Sequence, residues 1–379
     1  MPTQAVKIPK MKVSGQFQNR HLVTKVIKKI EEVPADEWNK IFPHVPESYY
    51  FLKTLDESNF EQFSFHYILV YEHKELGPHA GHSSILVGAA PCFTRSFPEL
   101  FNIKALVCGI PMGQGQIGLT GFSSAILEAI EQRMEVLACK VNASVIAFKD
   151  FEGPYDHFFV PLLKKDFIKI NGLPTTRLNL NFSDFEDYLQ TLSSATRYDL
   201  RRKLKKASSI KIDSSIESAP DETTLNEVYS LYLQAAEKHN KDLAPLPPDF
   251  FSLISKNMPQ ETKFFLWRIN GKLAAFVFCV VSEDVLLDYY WGFDYTPAHE
   301  YHLYFVKFKE VFNWCLANGI KTYEMGARGY EPKRRLKFEL VPVHLYVKSR
   351  LRILRPLLKC LCALLKFSQC FFRPWINNS

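Results

Sequence analysis

Apolar residues along this chain follow two rhythms, one with a period near two and one near 3.6, and the order of these runs repeats. FHYILVYEH (65–73), SSILVGAAPCFTRSF (83–97) and ALVCGI (105–110) read as strands, SSAILEAIEQRMEVLACKVN (123–142) as a helix, and ASVIAFKDF (143–151) as a strand. TTRLNLNF (175–182) reads as a further strand. The second pass begins with KFFLWRINGKLAAFVFCVV (263–281), a hairpin turning at Asn270 and Gly271. VLLDYYWGF (285–293) is a strand, HLYFVKFKEVFNWCLANG (302–319) a helix closed by a capping glycine, and IKTYEMG (320–326) and VPVHLYV (341–347) are strands. The halves share an order of elements and no obvious residue identity, which predicts a duplicated α/β module, each copy a mixed sheet flanked by helices.

Between the halves, DFEDYLQTLSSATRYDLRRKLKKA (184–207) and DETTLNEVYSLYLQAAEKHN (221–240) carry helical periodicity. Asp184 is placed to cap the first, with Asp187 completing an approximate capping box. APLPPDFF then breaks the chain and opens a short helix. The predicted organisation is a mobile basic segment over 1–27, a first module over 28–171, a second over 172–346 that holds the chemistry, and a tail over 347–379.

Charge separates that tail from the rest. The chain has 379 residues, 47% hydrophobic and 23% charged, with a formal net charge of +7. From Val347 onward, Lys348, Arg350, Arg352, Arg355, Lys359, Lys366 and Arg373 stand without a single Asp or Glu and equal the whole excess. The body is neutral, which argues against double-stranded nucleic acid as a partner, since that reading needs basic charge spread over a folded face. Arg352, Arg355, Lys359, Lys366 and Arg373 fall on one stripe of a helix whose remaining circumference is mostly Leu, Ile, Phe and Cys. Too interrupted by charge to span a bilayer, it predicts a helix lying on an anionic membrane surface at the cytoplasmic face. The other reading is a C-terminal helix packed on the body with its stripe solvated. Eight cysteines without metal-ligand spacing, and no apolar leader, predict unpaired thiols in a reducing compartment and no metal site.

Three stretches carry a family resemblance. EEVPADEWNKIFPHVPESYYFLKTLDESNF, ATRYDLRRKLKKA, and DYYWGFD followed by YEMGARGYEPK are similar to the opening helices, the Arg-rich helix and the Tyr-Trp-Gly and Glu-containing glycine segments of FemAB-like proteins. The chain thus resembles a tandem acyltransferase of the GNAT superfamily over most of 28–347. The resemblance implies two tandem GNAT-like domains, no tightly bound cofactor, and acyl-CoA as co-substrate, with aminoacyl-tRNA open as the other donor. One FemAB-like branch has Leu-His-Phe-Glu after the Tyr-Trp-Gly strand and Glu-His-Lys after the glycines. Here Leu303-Tyr304-Phe305-Val306 and Glu331-Pro332-Lys333 stand there, so that branch's polar residues are not reused.

Amide-forming acyl transfer needs a neutral amine, a polarised carbonyl and a donor held still. Backbone N–H groups at a strand bulge and a helix N-terminus suit the second and third needs, and a carboxylate suits the first. Glu324, at the end of the last helix-connected strand, is the candidate base; the bland reading pairs it with Arg328 or a lysine. Asp288 and Tyr290 are expected on one face of their strand, with Tyr290 able to protonate a leaving thiolate. Trp291 on the same strand, Arg328 and Lys333 beside Gly326 and Gly329, and Arg197 and Arg201 on the Arg-rich helix are candidate substrate contacts; each is also explained by packing or a solvated face. GQGQIG (113–118) matches a dinucleotide fingerprint, but the intervening Pro111 and loop favour a loop that covers the donor. The predicted activity is N-acyl transfer to an amine on a lipid or near a membrane. Aminoacyl addition to a cell-wall precursor and non-catalytic glycan or lipid binding are the other readings.

Overall fold

The computed structural model describes residues 21–43, 47–75, 82–97, 103–121, 123–239, 245–351 and 355–356. Along the chain, β1 (His21–Ile27) leads to helices α1 (Ala35–Ile41) and α2 (Tyr49–Glu57), then to β2 (Ser64–Glu75), β3 (His82–Phe97), β4 (Ile103–Cys108) and the short β5 (Gly118–Leu119). α3 (Ser124–Lys140), β6 (Val145–Glu152), α4 (Asp156–Leu163) and β7 (Ile168–Asn171) follow. The second half runs β8 (Thr175–Asn179), α5 (Phe185–Thr191), α6 (Ser194–Ala207), β9 (Asp213–Glu217), α7 (Glu222–His239), α8 (Phe250–Asn257), β10 (Thr262–Ile269), β11 (Lys272–Ser282) and β12 (Val285–Phe293). It closes with α9 (Tyr295–Glu300), α10 (Leu303–Ala317), β13 (Thr322–Glu324), α11 (Tyr330–Arg335), β14 (Glu339–Val341) and β15 (Val343–Ser349).

Local signals explain most boundaries. Asp184 accepts from the Asp187 amide at 2.8 Å, as an N-cap does. Ser193, accepting from the Thr196 amide at 3.2 Å, caps a new helix and divides the expected 184–207 helix into α5 and α6. Asn270 and Gly271 both take positive φ, 51° and 79°, as a two-residue hairpin between twisted strands requires. Gly292, in the Tyr-Trp-Gly strand, has a different reason. A Cβ there would sit 2.7 Å from the Leu231 backbone of α7, so only glycine lets the helix lie this close.

The strands form two mixed sheets, an eight-stranded one ordered β1-β2-β3-β4-β6-β15-β7 with β5 beside β3, and a seven-stranded one ordered β14-β8-β13-β12-β11-β10-β9. The fold is α/β, two mixed sheets each flanked by helices. The basic C-terminal helix expected over Arg352, Lys359, Lys366 and Arg373 lies outside the described residues. Sheet membership differs from the sequence boundaries at one point: VPVHLYV, read as the last strand of the second half, returns as β15 between β6 and β7 of the first sheet. Hydrophobic alternation could not report this, because it signals a strand without naming its partners. Three cations assigned to the tail contact the first module. Lys348 is buried on β15, with Nζ 3.0 Å from Glu131 Oε1 and paired also with Glu135, both on α3. Arg350 Nη1 donates to the Ala143 carbonyl at 2.6 Å. Arg355 donates through Nε to the Ser349 carbonyl at 3.0 Å and pairs with Asp166.

The two halves share a core. Trp38, Phe51, Leu52 and Leu55 from α1 and α2 are buried in one cluster with Phe250, Phe251, Phe276 and Phe278 of the second half. Asn257 on α8 donates to Thr54 Oγ1 at 3.0 Å and Glu57 Oε2 at 2.7 Å on α2. The opposite face of the second sheet buries Tyr188, Phe308, Phe312 and Tyr323 against α5 and α10.

Candidate active site

The geometry of the site follows from how β12 meets its neighbours. β12 runs parallel to β13 only over Val285–Thr322, Leu286–Tyr323 and Leu287–Glu324. β13 then ends, while β12 continues to Phe293 on β11 alone, so the two strands part and leave a free edge on β12. At that point the β11 register slips. Phe278 pairs with Tyr290 and Cys279 with Asp288, making Tyr289 an extra residue, a bulge.

The bulge corrects the expected grouping of Asp288 with Tyr290. One inserted residue flips every side chain beyond it, so the pair lies on opposite faces. Tyr289 and Tyr290 face the shared core. Tyr289 packs 5.8 Å from the Phe51 ring and Tyr290 lies 5.5 Å from Tyr232, among Phe250, Phe251 and Phe278. Burial pushes both phenols well above their ordinary range, so each keeps its proton. Asp288 instead faces α10. Its Oδ2 accepts from Lys307 Nζ at 2.6 Å and from the Tyr323 hydroxyl at 3.0 Å. Its carboxylate is committed to a buried ion pair, away from the parted strands.

Glu324 lies on the side where Tyr289 and Tyr290 lie, because Tyr323 before it points to α10. It is buried and paired, but its partner is neither Arg328 nor a lysine. Arg177, its cross-strand neighbour on β8, donates Nε to Glu324 Oε1 at 2.6 Å and Nη2 to Glu152 Oε1 at 2.7 Å. Arg177 thereby joins the end of β6 in one sheet to the end of β13 in the other. Burial raises the Glu324 carboxyl above the ordinary carboxylate range; Arg177 opposes the shift and Glu152 adds to it.

The remaining predicted contacts divide. Lys333 is buried and donates to the Met325 carbonyl at 2.7 Å and that of Gly326 at 3.3 Å, with burial drawing its ammonium down to about 7. It braces the turn and is not presented to a phosphate. Gly326, Arg328 and Gly329 all take positive φ, 60°, 76° and 56°, so the turn is left-handed at three positions. Arg328 is partly exposed beside Tyr330, and Trp291 is 37% exposed against Phe293. Arg201 pairs with Glu186 and Arg197 reaches Gln190 Oε1 at 3.4 Å, both on α5, so the two arginines brace α6 against that helix. Burial lowers the affinity of the His302 imidazole, at the start of α10, for a proton, and the charges of Lys203, Lys206 and Arg202 from the same helix α6 lower it further. Lys203 Nζ stands 4.1 Å over the Phe305 ring.

The first sheet carries the same parting in a closed form. β4 pairs in parallel with β6 up to Cys108–Phe148 and then stops. GQGQIG fills the gap: Gly115 donates to the Asp150 carbonyl at 3.1 Å and Lys149 Nζ donates to the Gly113 carbonyl at 2.9 Å. A Cβ on Gly115 would fall 1.9 Å from the Lys149 carbonyl oxygen, so the loop is seated against β6 and is no dinucleotide turn. A cleft of about 610 Å³ lies at the other end of β4, lined by Lys28, Lys104, Lys140 and His66, away from the parted strands.

Sequence reading missed Tyr289, Arg177, Glu152, Lys307 and Glu47. Glu47 is wholly buried, and no other described residue donates a hydrogen bond to its carboxylate oxygens.

Comparisons with known proteins agree with this fold. The profile of the FemAB-like family, described as peptidoglycan biosynthesis/recognition, matches residues 156–352. FemX superposes with a TM-score of 0.50 at 11% identity, covering 79% of this chain and 91% of FemX. A tandem GNAT protein from the clavulanic acid biosynthesis pathway gives 0.50 at 11% identity, over 86% of this chain and 98% of that one. The C-terminal DUF2156 domain of an Agrobacterium fabrum protein, provisionally named a lysylphosphatidylglycerol synthetase, gives 0.51 at 11% identity, over 86% and 95%. Curated Mycobacterium tuberculosis sequences, provisionally named 8-amino-7-oxononanoate synthase 2, are 22% identical over 253 residues, 64% of this chain. The chain spans about a third of the length of those relatives, 32%.

Proposed function

Because the chain belongs to the FemAB-like family and has the tandem GNAT-type fold of acyl- and aminoacyltransferases, we propose that it is an N-acyltransferase acting where β12 and β13 part. The observation that carries this reading is the free edge of β12 with its bulge at Tyr289, beside the buried Glu324. Unpaired N–H and C=O groups on that edge suit an extended acyl donor, and bulge amides suit the developing oxyanion. The start of α10, with Arg202, Lys203 and Lys206 nearby, suits the phosphates of an acyl-CoA. Tyr290, holding its proton, suits the leaving thiolate. Catalysis belongs to the second module in this reading, because the GQGQIG loop already fills the matching gap of the first.

The acceptor is an amine carried on a lipid, and the protein works on the inner face of a membrane through its basic C-terminal segment. A neighbour named for lysylphosphatidylglycerol favours a lipid acceptor, and the tandem GNAT fold of another favours the thioester donor. The family's description, peptidoglycan biosynthesis/recognition, keeps a second reading, with aminoacyl-tRNA as donor and a cell-wall precursor as acceptor. Purified protein is to be incubated with acyl-CoA or aminoacyl-tRNA and with amino lipids or cell-wall precursors, and the products read by mass spectrometry. A new amide from acyl-CoA and a lipid amine is expected. Amide formed only from aminoacyl-tRNA would move the assignment to the second reading, and binding without any transfer would leave a recognition protein.

Among the described residues no helix is long and apolar enough to cross a membrane. Removal of residues 357–379, which spares β15, is expected to release the protein from vesicles containing anionic lipid in a sedimentation assay. Unchanged sedimentation would reject the surface-helix assignment.

A further inference from the structure

We propose that the cleft at the start of β4 binds a phosphate ester, and that the source of this ester is the headgroup of an anionic lipid. The site goes beyond the acyl-transfer reading and does not depend on it.

Strand register builds the cleft. His66 lies opposite Cys92 and Thr94 opposite Leu106, so His66, Thr94 and Lys104 share the sheet face that α3 covers. α3 stops at Lys140, and Lys140 and Asn142 stand with those three around the opening of about 610 Å³. The turn after β1 adds Lys28 and Lys29, and Phe60 and Phe65 form a half-buried apolar wall. A concavity of this size is in the range of small-ligand sites.

Charge says what kind of ligand. Four lysines line the cleft, and the carboxylate among its described residues, Asp56, is turned to the backbone. Its Oδ2 accepts from the Ile30 amide at 2.6 Å, and burial pushes the carboxyl up to about 6. Lys29 Nζ donates to the Asp56 carbonyl at 2.8 Å. Lys28, Lys104 and Lys140 enter no ion pair among the described residues. Like charges gathered around a concave surface repel one another and focus a positive potential into it, and a bound anion relieves that repulsion. Ammonium groups arriving from β1, β4 and α3 suit a tetrahedral anion with acceptors on several sides; a planar carboxylate is matched better by the fork of an arginine.

His66 supplies a further donor. It is 7% exposed, and its Nε2 has no hydrogen-bond partner among the described residues. Burial, then the charges of Lys28 and Lys104, lower its affinity for a proton, so the imidazole is neutral at neutral pH. A neutral ring with its hydrogen on Nε2 donates to a phosphate oxygen, and the negative charge of that oxygen raises the ring's affinity for a second proton.

Two features select a lipid as the source. Phe60 and Phe65 place apolar surface beside the ammonium groups, as the acyl-bearing side of a headgroup requires. The cationic end of the chain also leaves from this end of the first module. Arg350 Nη1 donates to the Ala138 carbonyl at 3.3 Å and the Ala143 carbonyl at 2.6 Å, on either side of Lys140 in the chain. The Ser144 amide donates to the Lys104 carbonyl at 2.8 Å. A protein seated on a membrane by that end brings the cleft to headgroup level, where anionic phosphates are concentrated.

Nuclear magnetic resonance of the full chain with labelled histidine tests the site, His66→Gln assigning the signal. Dihexanoylphosphatidylglycerol, kept below its micelle concentration, and glycerol 3-phosphate are titrated separately, with sodium chloride at equal ionic strength as the reference. A saturable movement of the His66 signal toward its protonated position is expected with the lipid. Lys104→Gln combined with Lys140→Gln should weaken that binding by about tenfold or more, the loss of charge-assisted hydrogen bonds to phosphate. Lys25→Gln, an equal change of charge on the exposed part of β1 outside the cleft, should leave it unaltered. Binding at least about tenfold weaker for glycerol 3-phosphate supports the lipid source. Equal affinity for the two keeps the phosphate site and overturns the lipid source. No saturable movement with either probe, a movement that sodium chloride reproduces, or an affinity unchanged in the double variant overturns the site. If the double variant fails to fold, Lys140→Gln alone replaces it, since that side chain is exposed, and an unchanged affinity then overturns the site in the same way. None of these outcomes bears on whether an amide is formed, so the site and the acyl-transfer reading fail separately.

Discussion

Replacing Arg177 with methionine is expected to lower the unfolding free energy by about 3–5 kcal/mol, the usual cost of stranding buried charge. Arg177 is 15% exposed and is the counter-charge for two carboxylates, Glu152 at 22% and Glu324 at 8%. Without it, two like charges from different sheets face each other in a poorly solvated place. Chemical denaturation at neutral pH measures the loss. The sign of its pH dependence is diagnostic. Burial already raises the Glu324 carboxyl and Arg177 opposes that, so without the arginine the variant gains stability relative to wild type as pH falls and Glu324 protonates. Glu324→Gln added to Arg177→Met should recover part of the deficit by removing one of the two charges. A single variant as stable as wild type would mean that the bridge does not join the sheets.

Lys307→Met is the second large effect, again about 3–5 kcal/mol, from leaving Asp288 as an uncompensated buried anion. The side chains are 1% and 2% exposed, and Asp288 Oδ1 has no partner among the described residues. The double replacement Lys307→Met with Asp288→Asn should return most of the stability, because a buried ion pair is worth little more than well-packed neutral groups. The double variant also decides the role of Asp288. If the carboxylate only balances Lys307, turnover per folded molecule survives; loss of turnover with stability restored would return Asp288 to the chemistry.

Much of the fold was legible in the chain. The Asn270-Gly271 turn, the Asp184 cap and the glycine ending α10 each have a local cause, and each stands where the residues predicted it. The site was less legible, for reasons that particular residues make plain. Tyr289 and Tyr290 are two similar residues in an alternating strand, and nothing in VLLDYYWGF marks where one residue is added. That addition separated Asp288 from Tyr290. Arg177 sat in TTRLNLNF as an ordinary strand arginine, 147 residues from the glutamate it holds. Lys333 read as an exposed cation in a charged turn, yet its ammonium is spent on the carbonyls of Met325 and Gly326.

From its residues alone the chain specified the kind and order of its elements, the duplication, the turns and caps, and a neutral body followed by a cationic end. These are decided within a few residues, by periodicity and backbone preference. Packing alone decided that β15 joins the first sheet, that Asp288 turns away from the opening, and that Glu324 is held by Arg177. Those outcomes depend on which distant surfaces exclude water together, and a period of two or 3.6 records that a residue will be buried without recording against what.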